Sequence, residues 1–126
     1  MSFASTLLAA TVIAGRRHVL VEIVETDADP ADEWSVEVPP FLELRLVHAA
    51  LTTPGAAATV QPALGLAAGW SAGLDDLVES STPAAAVRVQ DAVVVAAPDG
   101  RLYGRSRPDA VAGEVRTRLA WVEGLT

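Results

Sequence analysis

Apolar residues in this chain recur at every second position over stretch after stretch, and no segment of helical length carries the three-to-four spacing of an amphipathic helix. That period restricts the chain to strands. Glu33 to Val38 shows it most plainly: Trp34, Val36 and Val38 point one way while Glu33, Ser35 and Glu37 point the other, so one face meets a core and one meets water. Phe41 to Leu51 repeats the pattern, with Leu42, Leu44 and Leu46 opposite Glu43 and Arg45. In His18 to Glu25 the core face is Val19, Val21 and Ile23. In Glu114 to Glu123 it is Val115, Thr117, Leu119 and Trp121, set against Arg116, Arg118 and Ala120. Ala85 to Ala97 alternates Val87 and Val89 with Arg88 and Gln90 before the apolar run Val93-Val94-Val95.

Turn chemistry divides these runs. Gly15-Arg16-Arg17 separates Leu7 to Ala14 from Val19 to Thr26 and predicts an antiparallel hairpin. Asp27 to Asp32 forms an acidic loop, Pro39-Pro40 ends the Trp34 strand because neither residue donates to a ladder, and Pro98-Asp99-Gly100 turns the chain into Leu102-Tyr103. The expected fold is all-β: an antiparallel sandwich or barrel of about seven or eight strands. With 126 residues, 51% of them hydrophobic, one domain over residues 1–126 is expected, with Met1 to Thr6 as an extended N-terminal arm. Residues 52–83 read as a loop-rich insertion with a short helix at Leu74 to Glu79, carrying Asp75 and Asp76 in its first turn.

Little of the usual chemistry is available to such a chain. It has no Cys, which removes disulfides, thiolate catalysis and Cys-type zinc sites, and no Lys, which removes Schiff-base, P-loop and carrier-attachment lysines. A net charge of −7 has the wrong sign for binding nucleic-acid phosphates or an anionic membrane. The apolar run Phe3 to Ala14 lacks a basic leader and is too short to span a bilayer, so it is expected to belong to the mature fold. His18 and His48 stand 30 positions apart without further ligands. Asp27, Asp29, Asp32 and Glu33 miss the spacing and the Gly of a calcium loop, and read instead as a solvated acidic loop. No Ser lies in a G-x-S-x-G setting, and Gly65, Gly69 and Gly73 recur without the Lys or the strand-turn-helix context of a phosphate loop. Trp34 and Trp121 fall on core faces. Trp70 lies outside any strand pattern, as a plug over the end of the fold or an anchor at a partner interface. The expectation is a protein that is not an enzyme and uses no cofactor or metal.

Three segments, Glu33-Trp34-Ser35-Val36-Glu37-Val38-Pro39, Pro62-Ala63-Leu64-Gly65 with Gly69-Trp70, and Gly100-Arg101-Leu102-Tyr103-Gly104-Arg105-Ser106-Arg107-Pro108-Asp109, resemble small all-β structural proteins of tailed bacteriophages. The closing Trp121-Val122-Glu123-Gly124 adds to the likeness. The resemblance implies a virion component on the capsid surface, made in the host cytoplasm: a decoration (cement) protein that binds the major capsid protein and braces its neighbours. It also implies a homo-oligomer, with a trimer expected from the local three-fold positions of a shell. Phe3, Leu64 and Trp70 are the candidate partner-binding residues, Phe3 as the apolar tooth of an arm that adds to a neighbouring sheet. A tail-tube, tail-completion or head-tail connector protein, or a small ligand-binding β-module, would share this composition.

Overall fold

The alternation read from the sequence becomes nine strands in two antiparallel sheets in a computed structural model, which describes residues 2–53, 55–65, 85–88 and 93–124. The large sheet holds β1 (Ser2–Ile13), β2 (Arg16–Thr26), β9 (Glu114–Val122) and β4 (Phe41–Thr53) in that order. The far edge of β4 is taken by β6 (Ala85–Arg88) along Val47 to Ala50 and by β7 (Val93–Ala96) along Phe41 to Leu44. The small sheet is β3 (Trp34–Glu37), β8 (Arg101–Arg105) and β5 (Ala63–Gly65), with β8 in the centre.

Inward residues of the two sheets make the core. Val19, Val21 and Ile23 of β2, Leu42, Leu44 and Val47 of β4, and Leu119 and Trp121 of β9 pack against Trp34 and Val36 of β3, Leu64 of β5 and Leu102 of β8. Burying each such Val or Leu contributes about 1.5–3 kcal/mol. Trp34 is nearly completely buried, and its indole ring occupies the space over Gly104, where an added Cβ would stand 2.0 Å from a ring carbon. A smaller second cluster, Leu51, Ala57, Val60, Ala112 and Val115 among its members, lies under the connection from β4 to β5. There Asp109 accepts hydrogen bonds from the Ala58 and Thr59 amides at 2.7 and 3.1 Å, so the described part of the loop-rich stretch is tied down.

Four details depart from the sequence reading. The hairpin turn is the two-residue Ala14-Gly15, both at positive φ (52° and 77°), and Arg16 already belongs to β2. This is the turn geometry whose twist matches paired strands. Ser2 to Thr6 do not form a free arm: they pair with Thr26 to Glu22 as the first half of β1. In β4 the register shifts between Leu44 and Leu46, and a bulge turns Leu46 away from the core so that Val47, Ala49 and Leu51 face inward after Leu42 and Leu44. Finally, the single strand-like run expected over Ala85 to Ala97 contains two strands, β6 and β7, which pair with separate stretches of β4, Val47 to Ala50 and Phe41 to Leu44. The short helix expected at Leu74 to Glu79 lies outside the described residues.

Candidate functional site

The large sheet is five strands wide, since β6 and β7 share one edge of β4, and the small sheet three, so the small sheet cannot cover the whole inner face of its partner. Among the described residues, β1 is left uncovered. Its sequence, Ser2-Phe-Ala-Ser-Thr-Leu-Leu-Ala-Ala-Thr-Val-Ile13, contains no charge, no Pro and no Gly. It pairs with β2 along its whole length apart from a bulge at Leu8, and its other backbone edge meets no strand among the described residues. Cross-strand partners share a face, so Phe3, Ser5, Leu7, Ala10 and Val12 lie on the side of Glu25, Ile23, Val21, Val19 and Arg17, which is the core side. All of them are exposed nonetheless: Leu7 keeps 54% and Val12 68% of its surface in solvent, and Ile13 at the end of the strand keeps 57%.

Between β1 and β3, the neighbouring edge of the small sheet, runs an open groove of about 360 Å³. Val19, Val21, Val36 and Trp121 supply its apolar surface. The charges at its rim are already paired within the chain. Arg17 meets Glu123 at 3.1 Å, Arg101 meets Glu37 at 3.6 Å and donates to the Ser35 hydroxyl at 3.0 Å, and the Trp121 indole N–H donates to Glu123 at 2.8 Å. The β1 wall of the groove is uncharged and the ionic groups at its rim are paired, while Ser5, Thr6 and Ser35 add hydroxyls to its lining.

Two other polar clusters lie on the large sheet. On the outer face of the large sheet, Glu22 joins Arg118 at 3.0 Å and Arg116 at 3.4 Å. Beneath the inner face, Glu25 is completely buried near Ser106 and Thr117, and neither its carboxylate oxygens nor those two hydroxyls find a full hydrogen-bond partner among the described residues. Burial pushes the Glu25 carboxyl up to about 7; the Ser106 hydroxyl opposes the shift and the negative charge of Asp32 adds to it. With Glu25 and Ser106 both closed to solvent, no substrate reaches them in this arrangement.

Of the three candidate partner-binding residues, Phe3 stands on β1, on the exposed strip. Leu64 does not face a partner: it is fully buried in β5, where it holds the small sheet to the core, and that role uses its whole surface. Trp70 lies outside the described residues, as do Gly69 and Gly73. His18 and His48 sit on β2 and β4, strands separated by β9, and His48 stands opposite Arg118. Asp29 and Asp32 cap their own loop, accepting from the amides of Ala31 and Asp29. Among the described residues, no group of three or more His, Asp or Glu side chains is placed to hold a metal ion, and no helix is long and apolar enough to cross a membrane. Trp34 and Trp121 are core residues, as their strand positions require. The sequence reading missed Leu7, Val12 and Ile13 as surface residues. The signal was present in the absence of any charge from Ser2 to Ile13, where β2, β4 and β9, the other long strands, each carry at least two. Compared with known proteins, the chain matches no family model and no curated sequence.

Proposed function

We propose that this chain is a non-catalytic structural protein of a virion, a decoration protein that attaches to the outside of a phage head and braces major capsid proteins. One observation carries the assembly role: the large sheet ends on a twelve-residue uncharged strand whose apolar side chains stand in solvent and whose outer backbone edge meets no strand among the described residues. Soluble folds normally blunt such an edge with charge, Pro or a covering element. An edge left open in this way fits a protein that meets other protein by strand addition or by face packing. The phage setting rests on the strand and turn segments that resemble small virion proteins, and the composition, free of Lys and Cys, agrees with a role that asks for a rigid body and many repeated contacts.

Quantitative mass spectrometry of density-purified particles from the source culture tests the setting. Copies of this chain near parity with the major coat protein are the expected result. A few copies per hundred would move the protein to the tail or connector, and its absence from particles would overturn the virion role.

A further inference from the structure

The mismatch between a layer five strands wide and a layer of three has a definite geometry. The surplus strand of the large sheet, β1, and the free edge of the small sheet, β3, lie on the same side of the sandwich, because Ser5 and Leu7 line one groove together with Ser35 and Val36. Among the described residues no strand lies beside β3 over β1, and β1 itself is the surplus strand.

We infer that a second copy of this chain fills the groove. A two-fold axis running along the strands lays the overhanging β1 of each copy over the inner face of the other copy's β1 and beside its β3. Each layer then contains one large sheet, five strands wide, and the three strands of the other copy's small sheet, so the two layers match in width. The same operation sets Phe3, Leu7 and Val12 near their own counterparts, an isologous contact that closes on itself. The pairing is two-fold, where a shell's local symmetry led to the expectation of three.

Charge favours this occupant. Each copy carries −7, and most of its surface would repel a second copy, but β1 has no charge over its length and the groove's rim charges are paired in-chain. Two copies can meet there without bringing like charges together. Twelve residues at ~3.3 Å each give a strip about 40 Å long and one strand spacing, about 4.8 Å, wide, on the order of 190 Å² per copy. The groove walls and the meeting edges, β1 of one copy and β3 of the other, add to it.

This inference rests on β1 as the working surface and not on the virion setting, so its test is made on the free protein. Light scattering and equilibrium sedimentation at micromolar concentration should give twice the mass of the chain. Leu7→Glu, on the inner face, should raise the dissociation constant at least tenfold, while Thr11→Glu, on the opposite face beside His18, should leave it unchanged with the same added charge. Circular dichroism checks that both variants are folded. Because the chain has no Cys, single thiols report proximity without background: Leu7→Cys should join two chains through a short bis-maleimide, and Thr11→Cys should not. The cross-link decides the matter even if Leu7→Glu fails to fold. A monomer at all concentrations, a dimer that survives Leu7→Glu, or equal cross-linking from both positions would overturn the pairing. A monomer found at parity on particles would remove the dimer and leave the decoration role standing.

Discussion

β1 and β2 are joined by two residues, have nearly the same length and pair almost from end to end, yet they live in different solvents. Val19, Val21 and Ile23 of β2 are buried, while Ala10, Leu7 and Ser5, their neighbours about 4.8 Å away on the same face, are exposed. The side chains do not account for this, since Leu7 is larger and more apolar than the Val21 beside it. What differs is the layer opposite: among the described residues the small sheet ends at β3, short of β1. Burial in a sandwich is set by the width of the facing sheet, and the alternation along a strand says only which residues would be buried together.

The strongest challenge to that contrast is a pair of truncations. Leu119→Ala, at a fully buried position on β9, should destabilise the protein by about 3 kcal/mol through lost transfer energy and the cavity left behind. Leu7→Ala should fall within about 0.5 kcal/mol at protein concentrations low enough to keep the chain monomeric. Chemical denaturation measures both, and comparable losses would mean that β1 is covered in the folded monomer.

Glu25 sharpens the comparison at its boundary, since it is the buried residue of β2 that stands beside exposed Phe3. Its folded-state value of about 7 lies above the ordinary 4.5, so the folded chain favours the neutral acid. The stability this contributes is complete below about pH 4.5 and is lost as pH rises through about 7, a span of up to roughly 3 kcal/mol at 1.36 kcal/mol per unit. Glu25→Gln should flatten that part of the stability–pH curve and make the variant more stable than the parent at pH 8. A parallel curve for the two proteins would place the carboxyl in contact with water.

The smallest effect concerns the turn that joins the two strands. Ala14 holds φ at 52°, where a Cβ costs about 1 kcal/mol. Ala14→Gly should therefore be neutral to stabilising, by less than about 1 kcal/mol in thermal melts, because relief of strain is partly offset by the greater freedom of Gly in the unfolded chain. A clear loss of stability would show that the Ala14 methyl has a contact of its own.

Much of this architecture was legible in the sequence, and the illegible parts share a cause. Trp34, Val36, Val19, Val21, Ile23, Leu119 and Trp121 announce their inward faces by period alone, and they form the core. Leu46 misleads because a bulge inserts one residue, and nothing in Leu44-Arg45-Leu46 marks the shift; the partner strand decides it. Leu64 misleads in the opposite sense, since a three-residue strand is too short to display alternation, and a residue in a Gly- and Pro-rich stretch resembles a loop residue until β8 pairs with it. The exposed strip on β1 was hidden for a third reason: which strand lies at an edge, and how far the other sheet reaches, are properties of strand order, which the period of a single strand does not contain.

The paired charges around the groove have a consequence for the ionic conditions under which copies of this protein meet. Salt shortens the reach of electrostatic forces to about 10 Å at 0.1 M, and in most charged interfaces this loosens the complex. In the proposed pairing the attraction comes from an uncharged strip whose flanking charges are already paired within each chain, while the long-range force between copies is the mutual repulsion of two −7 bodies. Screening removes the repulsion and leaves the attraction untouched, so added salt draws these molecules together where it would drive charge-held partners apart.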